Sequence, residues 1–166
     1  MNKIIGFYGG KFIPMHLGHE YCVKVACSMC DEVHIILFDS PENRPLEHNT
    51  RIDEYLTIES RLAQLEKIKR KYESRDKKIV IHYINTDSCV FEDGSENWDA
   101  ETPLVMQAIG KKFDYVYSSE PSYDAYFKRA YPWAKHILVD PPRHKFPISG
   151  TKIREGGKEI LDKWSV

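Results

Sequence analysis

The sequence predicts a doubly wound α/β fold, in which a five-stranded parallel sheet is covered by helices on both faces. Two observations predict it: short, continuously apolar runs suited to buried parallel strands, and segments of helical periodicity that alternate with them. Such alternation favours right-handed crossover connections. If three strands wind outward and the chain then returns to place the fourth beside the first, the strand order is 3-2-1-4-5.

The first half of the chain contains three of the predicted strands and two helices. Apolar runs predict strands over residues 3–8, 33–38 and 79–84. Apolar residues spaced four apart predict a helix over residues 17–29. A second helical pattern covers residues 57–72, and the threonine at its start is the expected N-cap.

The second half supplies two further strands and three helices. Residues 102–110 predict a short helix, because threonine and proline suit its start and glycine suits its end. Strands are expected over residues 115–119 and 136–139, with a helix at about 123–130 between them. A last helix is expected over residues 152–164.

The functional residues are expected at one edge of the sheet. Ligands of doubly wound sheets bind beyond the carboxyl ends of the strands where the strand order reverses. That rule selects the segments after strands one and four, residues 9–18 and 118–123. Two long polar loops, at residues 39–56 and 85–101, are also more often functional than structural in a compact domain.

The composition favours a single domain over residues 1–166. Lys and Arg number 24 against 25 Asp and Glu, and the net charge is −1, so neither nucleic acid nor an anionic membrane is an expected partner. No apolar stretch approaches the roughly 18 residues of a membrane helix, and no signal peptide is evident. Four cysteines are too few for a disulfide framework. We therefore expect a cytoplasmic protein with free thiols.

The first candidate segment joins a glycine turn to the start of a helix. Gly9 and Gly10 let backbone N–H groups approach a ligand, and Gly18 removes a side chain where a phosphate could come close. His16 and His19 project to one side of the helix, whose N-terminal amides favour an anion. Neither G-x-G-x-x-G nor G-x-x-x-x-G-K-[ST] is present, which disfavours Rossmann hydride transfer and P-loop chemistry.

The second candidate segment begins at Ile148 and opens the last predicted helix. Ser149 and Thr151 offer hydroxyl groups, whereas Lys152 and Arg154 offer positive charge. All of these groups suit phosphate oxygens. Two anion-binding helix starts, distant in sequence and both beside the expected crevice, indicate a polyphosphate ligand held between them.

Together the two segments resemble the signature motifs of the nucleotidylyltransferase superfamily, [GT]-x-F-x-P-x-H-x-G-H and I-S-x-T-x-x-R. Residues 9–19, 118–123 and 138–154 are most similar to the nicotinamide mononucleotide adenylyltransferase domain of bacterial bifunctional NAD-synthesis and regulatory proteins. The resemblance covers most of the chain and is weakest in the loops at 39–56 and 85–101. The ribosylnicotinamide kinase domain of those proteins is expected to be absent.

The resemblance implies transfer of AMP from ATP to nicotinamide mononucleotide, which gives NAD and pyrophosphate. The nucleophile is the 5′-phosphate, already ionised at neutral pH, so no general base or covalent intermediate is required. Mg²⁺ is expected as the cofactor of ATP, with few protein ligands because it tends to keep its waters. Relatives are often oligomeric, and the resemblance extends the expectation of a homo-oligomer to this chain.

The resemblance also assigns roles to single residues. His16 and His19 are expected on the α- and β-phosphate oxygens, and Lys11 and Arg154 on the triphosphate. The remaining ATP-binding residues are expected to be Gly9, Gly10, Phe12, Gly18, Ser118, Ser119, Glu120, Ile148, Ser149, Thr151 and Lys152. No protein ligand set for a metal is expected, because His16, His19 and Cys22 lie on successive helical turns and cannot readily surround one ion.

Four residues are expected to contact the nucleotide substrate: Asp39, Ser40, Trp98 and Arg61. Trp98 suits stacking on a base or ring, although a hydrophobic anchor for its loop is an equally good interpretation. Arg61 is expected to reach a ligand phosphate. Arg44 and Arg51, in the loop before it, are further candidates for the same role.

Other functions remain open at this point. Pantetheine phosphate could be the acceptor, although its enzymes usually have threonine where His16 stands. Cytidylyltransferases of the superfamily usually have Arg-Thr-x-Gly-Ile-Ser-Thr-Thr, from which residues 146–151 depart. A catalytically silent nucleotide sensor is the alternative of a different class, and the intact motif residues make it less favoured.

Overall fold

The computed structural model describes residues 2–43 and 52–166, which form one five-stranded, fully parallel sheet with the predicted order. Its strands are β1 Ile5–Gly10, β2 Glu32–Asp39, β3 Lys78–Asn85, β4 Tyr115–Ser118 and β5 Lys135–Leu138. From one edge to the other, the order is β3-β2-β1-β4-β5. The predicted fold class is therefore confirmed, and the strand order reverses between β1 and β4.

The described residues form six α-helices: α1 Leu17–Met29, α2 Ile58–Tyr72, α3 Trp98–Ile109, α4 Asp124–Ala130, α5 Gly150–Gly156 and α6 Lys158–Trp164. Thr57 caps α2 as predicted, because its hydroxyl accepts the Ser60 N–H at 3.1 Å. Nowhere in residues 2–43 or 52–166 does a helix have the length and apolar character needed to span a bilayer. All four cysteines are free and buried.

The core lies on both faces of the sheet. On β2, Ile35 and Leu37 pack in the cluster that includes α1 and α2, whereas Ile36 packs with Val105 and Ile109 of α3 on the opposite face. Successive strand residues point to opposite faces, so a strand buried on both must be apolar at consecutive positions. This explains why the apolar runs identified the strands.

Helix α3 begins earlier than the sequence predicts, and the predicted start at Thr102 and Pro103 is wrong. The N-cap is Asn97, whose side chain accepts the Ala100 N–H at 3.3 Å. Trp98 is consequently the first residue of α3 and not part of a loop. The Thr-Pro signal was misleading because asparagine is an equally good cap and precedes two acidic first-turn residues that favour a helix start.

The last predicted helix is two helices. It begins at Gly150, with Ser149 as N-cap, and breaks at Gly157, whose φ and ψ are 77° and −158°. Only glycine adopts this backbone conformation readily, because a Cβ atom would clash with the neighbouring peptide groups. The single helix predicted over residues 152–164 is therefore wrong in its start and its continuity.

The loop predicted over residues 39–56 is only partly described. Asp53–Tyr55 forms one 3₁₀ turn before α2, and Ile52 and Leu56 beside it are fully buried with Ile148 and Ile153. The described end of this loop therefore packs against the start of the C-terminal helices. The expectations for Arg44 and Arg51 lie outside the described residues.

We expect Gly157→Ala to lower the free energy of unfolding by about 1–3 kcal/mol, because alanine at φ 77° and ψ −158° is strained. Gly110→Ala is the matched control. Gly110 also has positive φ, 73°, but its ψ of 4° lies in the left-handed helical region, where alanine costs only about 1–2 kcal/mol. Urea denaturation measures both values, and a larger loss for Gly110→Ala would contradict this explanation of the helix break.

Candidate active site

A cavity of about 480 Å³ lies at the carboxyl ends of β1 and β4, where the strand order reverses. Its volume is typical of sites for small molecules. The two segments predicted from topology, residues 9–18 and 118–123, both contribute to its walls, and the first turns of α3 and α5 complete them. The topological rule thus located the cavity correctly.

Most of the predicted site residues line this one cavity. They are Gly9, Gly10, Lys11, Phe12, His16, Gly18, His19, Trp98, Ser118, Ser119, Glu120, Ile148, Ser149, Thr151 and Arg154. The structure therefore brings the two sequence motifs together, although 135 positions separate His19 from Arg154 along the chain. Their individual contacts with a ligand remain predictions.

The two histidines form a reciprocal cap at the start of α1. Nδ1 of His16 accepts the Gly18 N–H at 3.1 Å, and Nδ1 of His19 accepts the N–H of His16 at 3.1 Å. The rings are stacked, with centroids 3.6 Å apart. Because each Nδ1 uses its lone pair to accept a backbone proton, the proton of each neutral ring must lie on Nε2. The pair therefore offers two Nε2–H donors.

Both histidines are held in the neutral form. Burial lowers the pKa of His16 to about 4, and the positive charge of Arg143 adds to the effect. The pKa of His19 lies well below its usual range, chiefly through burial, with further contributions from His16 and Arg143. At neutral pH these rings can donate hydrogen bonds to an anion but carry no charge.

The start of α5 packs directly against the first motif. The Arg154 guanidinium donates to the carbonyl oxygen of Ile13 and, at 3.2 Å, to the Thr151 hydroxyl. A Cβ atom on Gly150 would lie 2.7 Å from the same carbonyl oxygen of Ile13, so only glycine permits this approach. Ser149 caps α5 by accepting the Lys152 N–H at 3.2 Å. Two helix N-termini thus meet at one cavity.

Sequence reasoning missed Arg143 as a cationic residue of the cavity. Its guanidinium donates to Glu120 Oε1 at 2.9 Å and to the Ile148 carbonyl oxygen at 3.0 Å. Its positive charge lowers the pKa of both His16 and His19. The sequence did offer a signal for Arg143, because prolines precede it in a loop between a strand and a helix start. They served only to support the family resemblance.

Four predicted site residues do not line the cavity: Asp39, Ser40, Arg61 and Lys152. Arg61 is only 2% exposed, and it donates to Asp39 Oδ1 and to the Lys11 carbonyl oxygen, each at 3.1 Å. Arg61 therefore stabilises the first motif from the interior of the protein and does not face the cavity. Sequence alone could not show this, because burial of an arginine depends on partners distant in the chain.

The wall formed by α3 and α4 is aromatic and acidic. Trp98 packs edge-to-face with Tyr123 and Tyr126, at centroid distances of 5.0 and 5.4 Å. Beside them Glu101 is 7% exposed, and its charge contributes to the raised pKa values of Tyr126 and Tyr131, after burial in each case. Sequence reasoning missed Glu101 because it was placed in a loop and not in the first turns of α3.

A second acidic residue of the cavity lies close to a predicted catalytic residue. Lys11 Nζ is 3.7 Å from Glu96 Oε2, and the Lys11 side chain is 43% exposed. A pair this exposed contributes little to stability, since solvent screens it. Lys11 is therefore available to a ligand at the mouth of the cavity.

Comparisons with known proteins agree with this geometry. A family model described as cytidylyltransferase-like matches residues 7–156. The trifunctional NAD biosynthesis/regulator protein NadR of Escherichia coli is 36% identical over 155 residues, which are 92% of this chain and 37% of that protein. The chain thus spans little more than a third of the curated relatives that it matches.

Solved structures share the fold. A bifunctional NMN adenylyltransferase/ADP ribose pyrophosphatase from Francisella tularensis aligns with a TM-score of 0.65 and 17% identity, covering 93% of this chain and 42% of that one. A NadR protein in complex with NAD and AMP-PNP aligns with a TM-score of 0.60 and 24% identity, with the same coverage.

The lowered histidine pKa values predict a loss of stability in acid. In the unfolded chain the histidines bind protons below their ordinary pKa of about 6.5, whereas His16 in the folded protein does not until about pH 4. The free energy of unfolding therefore decreases as the pH is lowered from 7 to 5. For His16 the loss between pH 7 and pH 5 is on the order of 2 kcal/mol. Urea denaturation at the two pH values measures it.

His16→Asn is the matched variant, because asparagine caps helices well but does not titrate. The decrease in stability between pH 7 and pH 5 should be smaller in this variant by about the contribution of one histidine. An identical pH dependence in both proteins would contradict the assigned state of His16.

Proposed function

Because this chain belongs to the cytidylyltransferase-like family of nucleotidyltransferases, we propose that it transfers AMP from ATP to nicotinamide mononucleotide, with release of pyrophosphate. The product would be NAD, which places the reaction in NAD biosynthesis. The NAD biosynthesis/regulator protein NadR, which is 36% identical to this chain, supports this assignment, and the bifunctional NMN adenylyltransferase/ADP ribose pyrophosphatase shares its fold.

The observation that carries the proposal is the meeting of two helix N-termini, α1 and α5, at one cavity. Free N–H groups and the helix dipole make each of them an anion site. The first adds His16 and His19, and the second adds Ser149 and Arg154. A triphosphate is an extended anion whose phosphates could contact both sites at once.

The aromatic wall supports a pyridine mononucleotide as the acceptor. The nicotinamide ring of this substrate is a cation, which is attracted to the faces of rings such as Trp98 and to a nearby carboxylate such as Glu101. Pantetheine phosphate has no charged ring to use these groups. The Glu101 carboxylate also favours the amide over nicotinate mononucleotide, because a carboxylate on the substrate would be repelled.

The residues can promote the reaction by alignment and charge stabilisation. The substrate phosphate attacks the α-phosphorus in line with the departing pyrophosphate, and no side chain needs to remove a proton. Neutral His16 and His19 donate Nε2–H bonds to oxygens that gain charge as the bond breaks. Arg143 and Arg154 are already held in position by carbonyl oxygens, so they need little reorganisation.

Mg²⁺ fits this cavity as an ion carried by the nucleotide. No group of three or more potential metal ligands occurs within residues 2–43 and 52–166. Of the cavity carboxylates, Glu96 pairs with Lys11, Glu120 pairs with Arg143, and Asp140 accepts two backbone N–H bonds. Magnesium bound to the phosphates and water would neutralise charge on the triphosphate.

Pyrophosphate release from ATP with a panel of acceptors tests the proposed function. We expect rapid release with nicotinamide mononucleotide, slower release with nicotinate mononucleotide, and none with phosphopantetheine or glycerol phosphate. Release with phosphopantetheine alone would overturn the choice of acceptor. Release with none of the four would overturn catalysis and favour a nucleotide sensor.

We expect His19→Asn to lower kcat by about 10²–10³-fold, because it removes one donor to the transition state. Asparagine places an oxygen near the position of Nδ1 and so keeps the acceptor for the His16 N–H. The control is His82→Asn, on β3 and outside the cavity, which should leave kcat unchanged. Equal kcat values for the two variants would contradict the role of His19.

A further inference from the structure

Three side chains form a continuous hydrogen-bonded chain that reaches the wall of the cavity at Ser118. Ser118 Oγ lies 2.6 Å from His136 Nε2, and His136 Nδ1 lies 3.2 Å from Asp124 Oδ1. They come from the end of β4, from β5 and from the start of α4. Ser118 is 6% exposed and the His136 side chain 4%, whereas the Asp124 side chain is 40% exposed.

The direction of the bond between His136 and Asp124 follows from the carboxylate. Hydrogen bonds from Lys128 and His136 hold the pKa of Asp124 below its usual range, so its carboxylate can only accept. His136 therefore donates through Nδ1–H to Asp124, and its Nε2 pairs with the Ser118 hydroxyl on the other side of the ring.

The Ser118 hydroxyl also forms a hydrogen bond with the loop that follows β4. Ser118 Oγ accepts the N–H of Glu120 at 3.2 Å and lies 3.4 Å from the Glu120 carbonyl oxygen, to which the hydroxyl can donate. The Glu120 carboxylate in turn accepts from the Arg143 guanidinium at 2.9 Å. This series of hydrogen bonds thus connects Asp124 at the surface with Arg143, whose positive charge lowers the pKa of both cavity histidines.

We propose that Ser118, His136 and Asp124 are positioning residues, which orient Glu120 and, through it, the Arg143 guanidinium for the triphosphate of ATP. This inference rests on the proposed function for its ligand. The His136 ring also packs edge-to-face with Phe127, at a centroid distance of 4.8 Å. Its hydrogen bonds to Asp124 and Ser118 are the contacts that an apolar side chain at this position would lack.

The arrangement resembles a Ser-His-Asp catalytic triad in its atoms but differs in what the serine does. The Ser118 hydroxyl accepts a backbone N–H from Glu120 and is buried. The carboxylate that would orient the histidine is instead substantially exposed and pairs with Lys128 at 2.8 Å. We therefore assign the three residues a positioning role and no covalent step.

A double-mutant cycle on the affinity for Mg-ATP tests the proposal, with the dissociation constant measured by isothermal titration calorimetry. His136→Leu in the otherwise unchanged chain should weaken binding by about 5- to 10-fold, a size typical of coupled neighbours. The same substitution in a Glu120→Gln background should change binding by less than about 2-fold, because Arg143 has already lost its orienting partner.

A conservative variant separates positioning from folding. His136→Gln keeps a polar amide that can pair with the Ser118 hydroxyl and should restore most of the affinity lost in His136→Leu. His82→Leu is the control, since it makes the same change on the opposite edge strand, β3, and should lower the melting temperature without altering the affinity for Mg-ATP.

Equal losses of affinity in the two Glu120 backgrounds, or unchanged affinity in His136→Leu, would overturn the positioning role. Because the measurement involves ATP alone, failure of nicotinamide mononucleotide as the acceptor leaves this result intact. Failure of the unsubstituted protein to bind Mg-ATP would overturn both this inference and the proposed function.

Discussion

The close contact between the loop after β1 and the start of α5 is the constraint on which the site depends. The carbonyl oxygen of Ile13 accepts from Arg154 and lies where a side chain on Gly150 would clash. This contact joins two segments from opposite ends of the chain, and each brings a helix N-terminus with it. Without it the two candidate anion sites would be separate.

Burial and a nearby positive charge set the chemistry of the histidines. Burial and the Arg143 charge keep His16 and His19 neutral, so the pair contributes directed donors and the arginines contribute charge. This division is well suited to a reaction whose nucleophile is already ionised, since alignment and stabilisation of developing charge are then the main requirements. Its expected cost is lower stability in acid.

Much of the fold followed from local patterns. Strands covered on both faces are mostly apolar at consecutive positions, so β1 and β2 were recognisable from apolar runs, as was the edge strand β3, and topology then located the cavity. The errors arose where two local signals competed. Asn97 and Thr102 both suit a helix start, and only packing of Trp98 against α4 distinguishes them.

The residues that could not be predicted depend on contacts distant in sequence. An arginine that faces inward, such as Arg61, has the same local pattern as one that faces a ligand, and its carboxylate partner lies on another strand. The contacts of Arg143 and the hydrogen bonds from Asp124 through His136 to Ser118 likewise form only when β4, β5 and α4 lie side by side. Motifs revealed the residues at helix starts, whereas tertiary structure revealed the residues that hold them.

A crystal structure with nicotinamide mononucleotide and a non-hydrolysable ATP analogue would show whether one triphosphate occupies both helix N-termini. We expect α-phosphate oxygens about 3 Å from Nε2 of His16 or His19, and the outer phosphates at the start of α5 beside Ser149 and Arg154. Phosphates bound at only one of the two helix N-termini, or outside the cavity between them, would contradict this account.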